Sequence, residues 1–83
     1  MSKHGRYRIE GYTIEQFNTI LGKDINNEDI YVGEGVILPN NKEGIVLGKT
    51  DDKIIIKNLG EINLYIVDSN KIKCINRLKI ISK

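Results

Sequence analysis

The residues most suggestive of chemistry lie in "VGEGVILPNNKEGIVLGKT", residues 32–50, where Gly33, Gly35, Gly44 and Gly48 alternate with apolar side chains ahead of Lys49 and Thr50. Closely spaced glycines before a G-K-[ST] signature cradle phosphates, because a backbone without Cβ lets its amides surround the anion at a helix N-terminus. The spacing excludes that chemistry. A dinucleotide fingerprint G-x-G-x-x-G counted from Gly33 requires glycine at Leu38, and Pro39 follows in place of a helix. For a Walker loop, Gly44 stands four residues before Gly48 rather than five, and the following "DDKIIIK" reads as strand. The glycines suit architecture better: Gly33 and Gly35 as bulge or close-approach positions, Gly44 as the return from the loop "PNNKE".

Metal and nucleophile chemistry are equally poorly served. His4 and Cys74 are the only histidine and cysteine, too few for a tetrahedral zinc site, and a single thiol forms no internal disulfide. Cys74 reads as a small buried apolar side chain in a reducing compartment. Glu28 with Asp29 and Asp51 with Asp52 are adjacent carboxylates, but neighbours along a strand point to opposite faces, so neither pair forms an acid–base dyad. The chain is expected to be non-enzymatic, without metal or cofactor.

Charge is more informative. The net charge of +2 conceals basic ends and an acidic body. Lys3, Arg6 and Arg8 precede any acid, and Lys71, Lys73, Arg77, Lys79 and Lys83 follow the last one; between Glu10 and Asp68, eleven carboxylates face five lysines, leaving −6. If the ends meet in space, Arg6, Arg8, Lys71, Lys73, Arg77 and Lys79 form one surface suited to nucleic-acid phosphates, with Tyr7 placed to stack on a base. The competing reading is that these are solvated residues guarding a terminal strand against edge pairing. A second class of function is protein interaction. Asp24, Glu28, Asp29 and Glu34 fall within eleven residues beside Tyr31, and such a run docks on basic protein surfaces, as a small phage or mobile-element inhibitor or adaptor would; an exposed apolar patch would serve the same class. Tyr31 and Tyr65 are also the candidates for an aromatic cage around a methylated cation.

The elements that must position these residues differ in period. In "GYTIEQFNTILGKD", Thr13 and Gln16 complete a T-x-x-Q capping box, and Ile14, Phe17, Ile20 and Leu21 recur at helical spacing, which predicts a helix over 13–22 stopped by Gly22. From Asp29 onward, short strands alternate with polar turns, at about Ile30 to Leu38, Gly44 to Lys49, Lys53 to Asn58, Glu61 to Val67 and Ile72 to Ile75. "INLYIV" alternates, with Ile62, Leu64 and Ile66 on one face. "RYRI" reads as a basic arm or edge strand within residues 1–9, and the tail 76–83 is ambiguous between strand and helical turn. No apolar run is long enough to span a membrane, and "MSKHGRYRIEGY" lacks the apolar core of a signal peptide, so a cytoplasmic location is expected.

One helix before five short antiparallel strands in 83 residues predicts a mainly β domain, a small five-stranded barrel over 29–81 whose closure would remove exposed edges. Gly33 to Val36 and Gly44 to Val46, with "NLYIVDSNKIKCI" as the last two strands, resemble SH3-like barrels of the KOW and Tudor type over residues 30–75. That resemblance implies a binding module for RNA, DNA or protein, and specifies no ligand residue by residue. A helix before five strands is also similar to the Sm-like RNA-binding fold, although "DSNKIKCI" carries no match to its nucleotide-contacting motif.

Overall fold

The capping box forms as the sequence requires. In the computed structural model, which describes Arg6, Tyr7 and residues 9–75, the Gln16 N–H donates to Thr13 Oγ1 (3.1 Å) and the Thr13 N–H to Gln16 Oε1 (2.8 Å). The helix it starts, α1 (Ile14–Phe17), lasts one turn and does not run on to Gly22. β-Branched Thr19 and Ile20 extend a helix poorly, Thr19 Oγ1 donates back to the Glu15 carbonyl (2.7 Å), and the Leu21 N–H leaves for the Ile30 carbonyl (2.8 Å). The expected stripe therefore splits: Phe17 and Leu21 are half-buried, while Ile14 and Ile20 are 80% and 51% exposed. Gly22 enters a strand instead of capping a helix.

Two antiparallel sheets follow. β1 (Gly22–Lys23) and β2 (Asp29–Ile30) form a short hairpin. β3 (Gly35–Ile37), β4 (Glu43–Thr50), β5 (Lys53–Asn58), β6 (Leu64–Asp68) and β7 (Lys73–Cys74) form a five-stranded sheet in the order β6-β5-β4-β3-β7. The strand expected over Ile30 to Leu38 is broken by a turn at Val32 and Gly33, where Gly33 takes φ +89°. A Cβ there would collide with the Tyr7 carbonyl oxygen, so close approach of the N-terminal arm demands glycine. Gly44 meets a similar demand within the sheet, since its Cβ would lie 2.9 Å from the Lys57 carbonyl oxygen. β4 carries a bulge at Leu47, between the pairs Val46–Ile56 and Gly48–Ile55.

The core is Ile30, Val36, Leu38, Val46, Ile54, Ile56, Ile72 and Cys74, with Leu21, Tyr65 and Val67 packed against it. Closure into a barrel does not occur: β6 and β7 are the two edges, and no ladder joins them among the described residues. A 3-10 turn, Ser69–Lys71, carries the chain between the edges, and strand β1 of the hairpin packs against that turn. A Cβ on Gly22 would touch Ser69 Cβ at 3.2 Å, the Ile25 N–H donates to the Ile72 carbonyl (2.9 Å), and Asp24 Oδ2 accepts from the Cys74 N–H (2.9 Å). The outer edge of β7 is thus capped by the hairpin loop, while none of the described residues pairs with that of β6.

Candidate binding surfaces

The basic ends converge in part. The Tyr7 N–H donates to the Gly33 carbonyl (2.8 Å) and the Ile75 N–H to the Gly35 carbonyl (2.9 Å), so the two ends attach two residues apart on one segment. Arg6 is built into the fold. Its guanidinium lies 4.3 Å from the Phe17 ring centroid and 4.8 Å from that of Tyr31, and it donates to the Phe17 (2.5 Å) and Val32 (3.4 Å) carbonyls. Half-buried between two rings, it pins the arm to the end of α1. Tyr7 remains 38% exposed, and Lys71 and Lys73 are exposed on the 3-10 turn and β7. Arg8, Arg77 and Lys79 lie outside the described residues.

The acidic run does not form one surface. Asp24 is 4% exposed, and its Oδ1 accepts from the Asn26 and Glu28 N–H groups (2.8 Å each) while Oδ2 holds β7. Glu34 is 1% exposed. Only Glu28 and Asp29 reach solvent, and Asp29 pairs with Lys23 at 2.5 Å. Tyr31 stacks on Arg6, and Tyr65 packs against the core from β6, so each ring is engaged apart from any cage. Cys74 is buried; burial first, then the nearby Glu34 and Asp24 carboxylates, push its thiol well above the usual range and keep it protonated. Among the described residues, no cluster of three or more His, Cys, Asp or Glu side chains is placed to hold a metal ion, and no helix is long and apolar enough to cross a membrane.

The surface that stands out is one the sequence left undirected. On β6, Tyr65 and Val67 turn inward, which leaves Leu64 and Ile66 58% and 56% exposed, with Ile62 beside them at 91%. Pairing extends this outer face in rows: Ile45–Lys57–Leu64, then Gly48–Ile55–Ile66, then Thr50–Lys53–Asp68. Ion pairs flank the apolar centre, Lys53–Asp68 (2.6 Å) at one end and Lys42–Glu61 (3.0 Å) at the other, where Lys57 Nζ also donates to the Glu61 carbonyl (3.2 Å). The Lys53 ammonium, by hydrogen bond and charge, holds the Asp68 carboxyl below its ordinary range. Ile55 connects this face to a groove of about 560 Å³ between α1 and the β4 bulge, lined by Tyr12, Gln16, Leu21, Leu47 and Gly48, in which the Tyr12 hydroxyl donates to the Leu47 carbonyl.

"INLYIV" showed that Ile62, Leu64 and Ile66 share a side, but both sides are apolar, so periodicity could not say which one faces the core. An apolar centre with a charged rim is the anatomy of a surface that excludes water against a partner. In comparisons with known proteins, no family model, no curated protein and no solved structure matches the chain.

Proposed function

We propose that this chain is a non-enzymatic protein-binding module whose partner docks on the outer face of β4, β5 and β6. The observation that carries the reading is the exposure of Leu64, Ile66 and Ile62 beside Ile55, within a rim of ion pairs. Such a face costs solubility unless something covers it. The pairing of β3 with β7, first and last of the five strands, supports an SH3-like arrangement left open on one side, and that resemblance implies a binding module. The acidic run contributes little to this reading, because Asp24 and Glu34 are buried in the fold.

The test is affinity capture from nuclease-treated extract of the source cell, with Leu64→Lys and Lys71→Gln/Lys73→Gln proteins as parallel baits. The reading expects a protein retained by the wild type and by the double variant, and lost with Leu64→Lys. Equal retention by all three baits would remove the face from consideration.

Nucleic-acid binding is the second reading, favoured by the attachment of Tyr7 and Ile75 to carbonyls two residues apart on one segment, which leads the basic arm and the residues after β7 away from neighbouring points. It expects affinity for short RNA or DNA to fall steeply with salt, and the slope to shrink in the Lys71→Gln/Lys73→Gln protein. No binding at low salt would exclude it.

A further inference from the structure

The two edges of the five-stranded sheet are treated differently. At the β7 edge two outward groups are met: the Cys74 N–H by Asp24 and, one residue before the strand, the Ile72 carbonyl by the Ile25 N–H. At β6, no described residue pairs with the outer edge. β6 also lacks the usual protections against edge pairing. "LYIVD" contains no lysine and no proline, and its five-pair register with β5 runs without a bulge.

We propose that β6 pairs antiparallel with β6 of a second copy of this chain, about a two-fold axis at Ile66. The register follows from the side chains. Centred on Ile66, Ile66 faces Ile66, Leu64 faces Asp68, and Tyr65 faces Val67 of the other copy. The outer face then carries an unbroken row Ile55–Ile66–Ile66–Ile55 across the junction. On either side runs a row Lys57–Leu64–Asp68–Lys53, in which the carboxylate of one copy lies between lysines of both. With strands about 4.8 Å apart, the Lys57 ammonium, which donates to the Glu61 carbonyl in the single chain, swings across Leu64 toward Asp68 of the second copy. The inner face joins Tyr65 and Val67 to each other beside Ile56 and Ile54. No like charges are directly opposed, and each apolar residue keeps its own face, as an even register requires. A register centred on Tyr65 sets Asp68 against Ile62 and Asn63 against Val67; one centred on Val67 sets Asp68 against Ile66. Both, like the Ile66 register, set Asp68 opposite an apolar residue, but neither brings a lysine of the second copy into its row.

Pairing of edges leaves the outer faces uncovered and joins them into one surface twice as wide. The proposal therefore concerns the strand edge, and its failure would leave the docking reading of the face intact.

Sedimentation equilibrium from micromolar to millimolar protein tests it, alongside Ile66→Lys, which places two ammonium groups face to face on the axis, and Ile14→Lys, which alters a still more exposed isoleucine away from β6. The expected result is a monomer–dimer equilibrium whose dissociation constant rises at least about tenfold in Ile66→Lys and is unchanged in Ile14→Lys. A wild-type monomer at every concentration would overturn the proposal, as would a dimer indifferent to Ile66→Lys in a variant whose circular dichroism is native. Should Ile66→Lys fail to fold, mixed isotope-labelled wild-type protein decides: intermolecular contacts between Ile66 residues support the pairing, and a dimer without them refutes it.

Discussion

Replacing Asp24 by alanine removes three acceptor contacts at once. The Asn26 and Glu28 N–H groups sit in an exposed loop, where water replaces the lost carboxylate, so each bond costs about 0.5–1 kcal/mol. The Cys74 N–H is different. It is buried behind the hairpin and loses its hydrogen bond to Asp24, which leaves an unsatisfied donor costing about 1–3 kcal/mol. The sum is about 3 kcal/mol against a total stability of roughly 4–12 kcal/mol for a domain of this size. At about 4–8 °C per kcal/mol, the thermal midpoint should fall by roughly 10–25 °C. Asp24→Asn keeps one acceptor for the loop but turns an amide toward the Cys74 N–H, and should lose about 2 kcal/mol. Urea unfolding followed by circular dichroism measures both. A loss below about 1 kcal/mol for Asp24→Ala would mean that the carboxylate does not hold β7 against the hairpin, and the account of why the sheet stays open would fall with it.

Gly33→Ala forces a Cβ into the Tyr7 carbonyl at φ +89°, and should cost about 1–3 kcal/mol while exposing the N-terminal arm to limited proteolysis; native resistance would contradict the close approach. Asp68 titrates below 3.8 because Lys53 favours its charged form, so the pair's contribution is present above the unfolded carboxyl pKa and lost as pH falls through the lower folded value. Carboxyl NMR should show that midpoint returning toward 3.8 in Lys53→Gln and in high salt; an unmoved midpoint would reject the pair. The Cys74 thiol, buried and held protonated, should resist alkylation at mildly alkaline pH until urea unfolds the chain, and rapid native labelling would place it at the surface.

Local chemistry was legible in the sequence wherever one residue's own requirement fixed the outcome. The Thr13–Gln16 box caps a helix as written, Gly33 marks a close approach, and "KIIIKN" is a strand from Lys53 to Asn58. Harder to read were outcomes decided by competition over distance. Gly22 looked like a helix stop, yet Ile30, eight residues on, offered a strand partner. Closure looked economical until Asp24 and Ile25 took the outward groups of β7. The candidate sites followed the same division. Residue type suggested that Arg6, Asp24 and Glu34 meet partners, but burial turned all three toward the protein itself. The outer face was hidden by composition, since Leu64 and Ile66 on one side of β6 and Tyr65 and Val67 on the other give an alternation of apolar residues without a direction.

The central claim, that a protein docks on the outer face, is tested most directly by a photo-crosslinking residue placed at position 64 and, separately, at position 73, activated in the source cell. The account predicts a protein adduct heavier than the chain's own dimer from position 64 and none from position 73. An adduct from position 73 alone, or crosslinking only to nucleic acid, would contradict it.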